Sequence, residues 1–446
     1  MPYKAIKLVI TIHLILFTGM WNIAWSQQEE KVDDIKGKVL TLEECIRIAV
    51  ERHPDIRSKI AEANAAKLRV KQSFSSFLPS LDFSSGYSKS RVERSGNQHS
   101  SSFAGSDSRD NYTVGFALSQ NIFDFGRSLS NWRMSKEEAN AVSFILNTTG
   151  QNILFNVEEA YYNHLRALRL RNVNEEAVAS AGLHLKQAQG FYEIGIRPKI
   201  DVARANVDLS NAKVGLIKAK NAVRLAKVDL DNAMGLNEPV SYQIQDDMGL
   251  TKSDYHIDDL LIIAYRNRPE LLELDARSRA LEQKIKFNKS EHLPKLSGRL
   301  SYDWEGESSP LDREWRAGIT LDVPLFSGLD TSYRLKEAHE NLKGLNSRID
   351  SLKLQIKKEV EQAILSLREA EERLLATRVA VEQGRENLRL AEGRYKVGLA
   401  TIIDLTDARV LLLEVNTNWI QALYDYKIAD ALTKKSAGTI PFRIED

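Results

Sequence analysis

This chain has few cysteines and few prolines, and neither charge is in excess. A single cysteine, Cys45, stands among 446 residues, so no disulfide can form within the chain. Ten prolines and 23 glycines are few for this length and favour long helices. The 62 Lys and Arg residues are balanced by 61 Asp and Glu residues, and a net charge of +1 gives no electrostatic reason to expect nucleic acid as a partner.

Long apolar runs are also scarce, and the clearest one lies at the N-terminus. Two lysines precede an apolar stretch over residues 8–17, and Ala24 and Ser26 place small residues where a signal peptidase cleaves. This order predicts a secretory signal peptide over residues 1–26. The run is well short of the ~20 residues that a membrane-spanning helix needs. We therefore expect an exported mature chain.

Motifs for catalysis or cofactor binding are missing from the sequence. The eight histidines are scattered, and neither a His-Glu-x-x-His spacing nor a glycine-rich phosphate loop occurs. Cys45 falls on the apolar face of a predicted helix, where buried packing is the ordinary role of a lone cysteine. We predict that the protein is not an enzyme and that it binds no cofactor or metal.

The dominant feature that is present is an internal duplication. Matching residues recur 215 positions apart at the start of the unit and 203 positions apart further on: Ala49 and Ala264, Pro54 and Pro269, Tyr192 and Tyr395, Gly195 and Gly398, Asp201 and Asp404. The step between the two offsets falls in a Ser-rich hairpin loop, Ser88 to Asp110, which is longer in the first copy. We predict a first structural repeat over residues 27–240 and a second over residues 241–446.

Each copy begins with a helix and continues with two strands. Thr41 and Glu44 have the spacing of a capping box, and each opening helix carries a proline inside or beside it and ends near a second one. Period-2 alternation then predicts strands of about nine to eleven residues with one apolar face, a length that suits an outer-membrane barrel. In the second copy the returning strand is predicted to reach Leu325. A soluble hairpin is the alternative interpretation of the same pattern.

Two long helices joined by a turn complete each copy. The first runs from Arg127 to about Glu193 in one copy and from Asp330 to about Lys396 in the other. At 1.5 Å per residue each would reach roughly 100 Å. A heptad seam of apolar residues from Ile356 to Leu388 predicts coiled-coil packing. Helices this long cannot bury much within one chain, so partner chains are implied.

Four strands are too few to close a membrane barrel, because the smallest such barrels have eight. Open sheet edges in lipid are costly. Three chains would supply twelve strands and a cylinder of twelve long helices. The predicted fold is therefore mostly α with a small β part: a long coiled-coil α-helical barrel and a transmembrane β-barrel formed by a homotrimer, with four strands per chain.

The order of elements, the duplication and a Tyr-x-x-Gly-x(5)-Asp motif in both copies resemble the TolC family of outer-membrane efflux proteins. The motif residues are Tyr192, Gly195 and Asp201, then Tyr395, Gly398 and Asp404. The resemblance implies a passive exit duct of a tripartite efflux or type I secretion system. It implies a location in the outer membrane, in contact with its lipid, and extension into the periplasm. A periplasmic adaptor and an inner-membrane pump are the implied partners, and neither cofactor nor nucleic acid is expected.

Candidate gate residues lie around the second turn. Asp404 and Asp407 are three residues apart, so their carboxylates share one side of the last helix; N-terminal capping is the alternative role. The resemblance implies a ring of six such carboxylates at a constriction, which would favour cations and raise the carboxylate pKa. Tyr395 and Asp201 match positions that the family uses to link neighbouring helices and hold the tunnel shut.

One departure from the family concerns a further link that holds the tunnel shut. Its well-studied member has an Arg–Thr link at positions equivalent to Ala400 and Ile200, and neither residue can make it. Arg197 occurs at the corresponding place in the other copy. We hypothesise that Arg197 replaces part of this link by pairing with a carboxylate of the turn.

The two turns are also the predicted contact with the adaptor. They are expected to be exposed and apolar, with Ile194 and Gly195 in the first copy and Val397 and Gly398 in the second. Two other functions stay open from the sequence. One is an exported coiled-coil scaffold with soluble hairpins, and the other is a stand-alone porin, although a simple porin needs no helices of ~100 Å.

Overall fold

The computed structural model describes most of the chain after its N-terminal segment. The described residues are 35–92, 107–238, 240–246, 249, 255–308 and 310–442. The predicted signal peptide and the middle of the predicted first hairpin loop lie outside them.

The two copies contain the same helices and strands in the same order. The first copy consists of β1 (Val39–Leu40), α1 (Leu42–Arg52), α2 (Pro54–Phe74), a 3-10 turn (Ser75–Phe77), β2 (Ser80–Val92), β3 (Asp107–Phe123), α3 (Arg127–Glu193) and α4 (Lys199–Ala233). The second consists of β4 (Gln243–Ile244), α5 (Ile257–Asn267), α6 (Pro269–Ser290), β5 (Lys295–Gly306), β6 (Asp312–Asp322), α7 (Asp330–Lys396) and α8 (Ile402–Ser436). β1 and β4 pair in parallel where the copies meet.

The opening segment of each copy is two helices, where the sequence predicted one. The capping box at Thr41 and Glu44 is confirmed, with the Thr41 amide donating to the Glu44 carboxylate at 2.8 Å. α1 then ends, and α2 begins with Pro54 as its first residue. His53 before it is extended (φ −62°, ψ 124°), because proline disfavours the helical conformation in its predecessor. Pro269 divides α5 from α6 in the same way.

Cys45 packs in the main apolar cluster with no exposed surface, as predicted. Burial raises the pKa of its thiol to about 12. The thiol therefore stays protonated and unreactive, since the thiolate is the nucleophilic form.

The four long strands form one antiparallel sheet in the order β2-β3-β5-β6. Its register places Leu118 opposite Leu81 on one side and Leu300 on the other, so the apolar residues of all four strands share a face. That face is exposed in the single chain: Trp315 is 69% and Ile319 is 73% accessible. The sheet therefore confirms the predicted alternation and leaves its apolar face uncovered.

Strand lengths differ from the prediction. β2 has 13 residues and β3 has 17, so both extend into the segment predicted as loop. Cross-strand polar pairs account for the extension, since the Tyr87 hydroxyl donates to Asp110 at 2.9 Å and the Lys89 ammonium lies 3.3 Å from the same carboxylate. β6 ends at Asp322, short of the predicted Leu325, because a proline follows two residues later.

The long helices match their predicted bounds. α3 and α7 have 67 residues each, and α4 and α8 have 35 each. The predicted seam of α7 is largely buried, with Ile356 and Val360 fully inaccessible. α3 packs along α4, α7 packs along α8, and the two pairs meet where α3 contacts α8. None of the described helices combines the length and apolarity needed to cross a membrane.

The junction between strand and long helix has an unusual backbone in both copies. Phe125 (φ 53°) and Gly126 (φ 84°) are consecutive left-handed residues before α3, and Gly328 (φ 63°) and Leu329 (φ 67°) occupy the corresponding place before α7. Each pair contains one glycine, at opposite positions. A side chain in this conformation costs about 1–2 kcal/mol, so each junction holds one strained residue.

Candidate functional site at the helix tips

Each pair of long helices is joined by a tight turn built on a glycine. The turns pass through Gly195 (φ 75°) and Gly398 (φ 76°), a backbone conformation that glycine adopts without steric cost. We call residues 184–201 the first tip and residues 387–404 the second tip. The two tips lie at the ends of the helices opposite to the sheet.

The predicted adaptor-contact residues lie at the outermost point of the tips. Ile194 is 67% exposed and Val397 is 69% exposed, next to the two turn glycines. Ile196 and Leu399 extend the same surface, at 63% and 72% exposed. The turns thus present four large apolar side chains to solvent, which is uncommon on a surface that contacts nothing.

Three of the predicted gate residues are brought together between the tips. Tyr395 is only 3% exposed, and its ring centre lies 5.6 Å from that of His184 and 6.3 Å from that of Phe191. Its hydroxyl has no hydrogen-bond partner among the described residues. Burial, and then the negative charge of Asp201, raises the pKa of Tyr395. Asp201 is itself only 5% exposed.

Arg197 completes this cluster, but with partners other than those predicted. It donates to the Ala400 carbonyl at 3.2 Å, and its guanidinium lies 5.0 Å from the centre of the Tyr395 ring, a cation–π distance. Within the described chain no carboxylate forms an ion pair with it, so the pairing with a turn carboxylate is not made in the single chain and stays a prediction for the trimer. One oxygen of the Asp404 carboxylate, Oδ2, is engaged, because it accepts from the Thr401 amide and hydroxyl at 2.8 Å each, and the other oxygen stays open in the described chain.

Asp404 and Asp407 lie in the first turns of α8, and Asp404 caps the helix. Thr401 and Asp404 form a reciprocal capping box. The backbone and side-chain hydrogen bonds from Thr401 lower the pKa of Asp404. Both carboxylates are exposed in the single chain. The predicted ring of carboxylates, with its raised pKa, requires the other subunits and stays a prediction.

His184 is a member of the cluster that sequence reasoning missed. It is 1% exposed, and neither ring nitrogen has a hydrogen-bond partner among the described residues. Burial, and then the positive charge of Arg409, lowers the pKa of His184 to about 4. Its signal is in the sequence, because it lies three residues after Ala181 and four before Ala188, the spacing of a heptad seam.

A polar link between the copies lies just behind the tips. The Thr406 hydroxyl of α8 donates to the Asp208 carboxylate of α4 at 2.9 Å. Within the second copy, Arg409 forms an ion pair at 3.4 Å with Glu392 of α7. Thr406, Asp208 and Arg409 border a groove of about 370 Å³ between the helices. Sequence reasoning missed the link because its members lie 198 positions apart and belong to no common motif.

The described side chains at the tips form no metal-binding group. Across the part of the chain that the structure describes, no three His, Cys, Asp or Glu side chains are grouped to hold an ion. The side chains at the tips therefore offer packing, hydrogen bonds and charge, and the arrangement is suited to holding helices together.

Comparisons with known proteins agree with this architecture. Outer membrane protein TolC of Escherichia coli is 21% identical over 406 residues, which are 87% of this chain and 80% of that protein. TolC of Vibrio cholerae is 23% identical over 409 residues, covering 90% and 91%. The crystal structure of the Campylobacter jejuni CmeC outer membrane channel superposes with a TM-score of 0.77 at 18% identity, covering 89% of this chain and 85% of that one.

The family assignment rests on a match within each of the two copies. The sequence pattern of the family described as "Outer membrane efflux protein" matches residues 45–236 and 260–439, one segment in each copy. The structural likeness shows the same fold, a helical barrel with a small sheet. The chain belongs to the outer membrane efflux protein family.

Proposed function

We propose that this chain forms a homotrimeric duct in the outer membrane, which serves a tripartite efflux or type I secretion system. A periplasmic adaptor and an inner-membrane pump would deliver substrates to its tips. The duct itself is passive and catalyses nothing. Membership of the outer membrane efflux protein family supports this role.

The observation that carries the proposal is the incomplete sheet. β2 and β6 are edge strands, so each presents a row of unpaired backbone groups. In lipid each unpaired group costs several kcal/mol. The exposed apolar face with Trp315 and Ile319 suits lipid, and closure with the sheets of two further chains would pair every edge. Twelve strands then form a barrel.

The tips are the proposed gate and docking end. Tyr395, Asp201 and Arg197 hold the two copies together within a chain, and Asp404 and Asp407 would bring six carboxylates close together in a trimer. Such a ring favours cations. The exposed Ile194 and Val397 are proposed to contact the adaptor.

The first experiment combines native mass with single-channel conductance of the purified protein in a planar bilayer. We expect a trimer with a small, cation-selective conductance that divalent cations block. Replacing both Asp404 and Asp407 by Asn should abolish the selectivity, whereas Glu414→Gln, an exposed carboxylate further along α8, should leave it intact. A large, unselective conductance would contradict a closed gate and favour an open porin.

Membrane extraction tests the remaining alternative. A barrel resists sodium carbonate, whereas an exported coiled-coil scaffold is released. Release of the protein as a soluble oligomer that never conducts would overturn the proposal.

Adaptor contact is tested with a photoreactive amino acid placed at Val397. We expect a cross-link to a periplasmic adaptor, identified by mass spectrometry. The matched control is Leu354, which is equally exposed at 71% but lies far along α7. Equal cross-linking from both positions would argue against contact at the tips.

A further inference from the structure

The two tips contain corresponding residues in opposite environments. Tyr395 of the second tip is 3% exposed and packs on the first tip, whereas its counterpart Tyr192 is 45% exposed. We propose that Tyr192 packs on the second tip of a neighbouring subunit, beside Asp404 of the partner subunit, as Tyr395 packs beside Asp201 within the chain. This inference rests on the proposed closed ring and adds the residues that join its subunits.

The contact of Tyr395 with the first tip shows which side chains surround a tyrosine at such a joint. The acceptor surface on the first tip consists of His184, Phe191 and Asp201. Two of these are almost fully buried, and both rings lie within 6.3 Å of the Tyr395 ring centre. A carboxylate near the hydroxyl and a cation over the ring, supplied by Arg197, complete the site.

The second tip carries a corresponding surface that is exposed among the described residues. The residues 203 positions after His184, Phe191 and Asp201 are Asn387, Arg394 and Asp404, and all three are exposed. This second surface again offers a carboxylate, from Asp404, and a cation, from Arg394. Each chain thus presents one unused tyrosine and one unused acceptor surface.

The two unused surfaces are both exposed within one chain, so a second copy is needed to bring them together. Away from the tips the copies join where α3 packs on α6 and α8, which leaves α4 and α7 as the outer flanks of the chain. At the tips themselves α4 also contacts α8, and α7 also contacts α3. Both outer flanks carry exposed apolar side chains, such as Ile217 at 67% and Leu354 at 71%. Surfaces of this kind on opposite sides of a chain make head-to-tail contacts, which close into a ring.

The contact between subunits differs chemically from the one within the chain. Asn387 and Arg394 replace an imidazole and a phenyl ring, so the acceptor surface is more polar and less able to exclude water. The Tyr192 ring would lie against the Arg394 guanidinium and direct its hydroxyl to the Asp404 carboxylate. A ring built in this way alternates apolar joints within subunits and hydrated joints between them.

Disulfide trapping tests the proposal, and the chain is well suited to it because Cys45 is its only cysteine. In a Cys45→Ala background, Tyr192→Cys is combined with Asp404→Cys and oxidised in the membrane. We expect covalent dimers and trimers on a non-reducing gel. The matched pair Tyr395→Cys with Asp201→Cys should close within the chain and leave the gel mass at one subunit.

The outcomes separate this inference from the proposed function. A native trimer in which Tyr192→Cys with Asp404→Cys gives no more cross-linked oligomer than either single variant overturns the contact and leaves the duct intact. A protein of monomeric native mass overturns both. Cross-linking of this pair within one chain also overturns the contact.

A charge exchange supplies a second test that does not depend on disulfide geometry. Tyr192→Glu places a negative charge opposite Asp404 of the partner subunit, and we expect trimers to dissociate at a lower temperature on semi-native gels. Adding Asp404→Lys should restore the wild-type dissociation temperature. The contact is overturned if Tyr192→Glu has no effect or if the second change does not restore the trimer. Tyr192 is exposed in the single chain, so Tyr192→Glu leaves folding of the subunit undisturbed. Asp404→Lys removes the capping box with Thr401, so Asp404→Lys alone is the control for any loss of α8 stability.

Discussion

Acid should loosen the tips, and His184 is the group responsible. Its imidazole is buried against Tyr395, and the charged groups that face it are Arg409, Asp208 and Glu392. Gln187 lies near the ring, but its geometry falls short of a hydrogen bond. A proton on the closed ring would therefore be poorly solvated, and the neutral form is favoured.

The direction of the pH effect follows from the pKa of His184 in the open tip and in the closed tip. An opened tip exposes His184, which then titrates near its ordinary pKa of about 6.5. The closed tip holds the pKa at about 4. Stability of the closed tip is therefore complete above about pH 6.5 and is lost progressively as the pH falls towards 4. At pH 5 the difference amounts to about 2 kcal/mol, or roughly a 30-fold increase in the opening constant.

Hydrogen exchange of peptides from the two tips measures this opening. Exchange is compared at pH 7 and pH 5 after correction for the intrinsic rate, in the wild type and in His184→Phe. The variant keeps an aromatic ring beside Tyr395 and should lose the acid-induced increase. His164→Phe is the matched control, since His164 is also buried with a pKa of about 4 but lies away from the tips. Equal acid sensitivity in wild type and His184→Phe would refute the reasoning.

Three further changes test packing, pairing and hydrogen bonding. Gly384→Val should lower the free energy of unfolding, measured in urea, by about 1–3 kcal/mol, because a Cβ there would lie 2.8 Å from a methyl group of α8. In the control Gly344→Val the new Cβ meets no atom of the described residues within 4 Å, so the loss should be under about 1 kcal/mol. Glu359→Gln removes a partner of the buried Arg268 and should lower the free energy of unfolding by about 2 kcal/mol at pH 7 but by less at pH 3. Burial raises the pKa of Glu359, but hydrogen bonds from Arg268 and Gln355 outweigh burial and lower that pKa, so the pair loses its charge only in acid. An equal loss of stability at both pH values would contradict the pairing. Tyr242→Phe deletes a 2.6 Å hydrogen bond to an aspartate of α4 and should lower the melting temperature by a few degrees, which calorimetry would measure; an unchanged value would show that the bond adds nothing.

The elements of this fold were predictable because local signals agree with the final structure. Periodicity and turn glycines placed α3 and α7 within their observed bounds, and period-2 alternation identified the apolar face of the sheet. The strand ends were less accurate, because cross-strand pairs such as Tyr87 with Asp110 depend on register, which the sequence does not state.

The candidate site was predictable only in part, for a related reason. The repeated motif identified Tyr395 and Asp201, but not which copy would bury its tyrosine, because both copies carry the same motif. The partner of Arg197 is a backbone carbonyl, and no side-chain pattern marks such an acceptor. Which tip covers which is decided by how the helix pairs pack together, and that information is spread over the whole chain.

The left-handed junctions before α3 and α7 have a mechanical consequence. In the first copy only residues 124–126 lie between β3 and α3, whereas residues 323–329 lie between β6 and α7. The left-handed pair Phe125 and Gly126 therefore reverses the chain with no spare length, and β3 is held at a set angle to α3. The pair Gly328 and Leu329 is preceded by five further residues, so β6 has slack that β3 lacks. A sideways displacement of the first tip is therefore transmitted to the sheet through α3 more directly than a displacement of the second tip through α7.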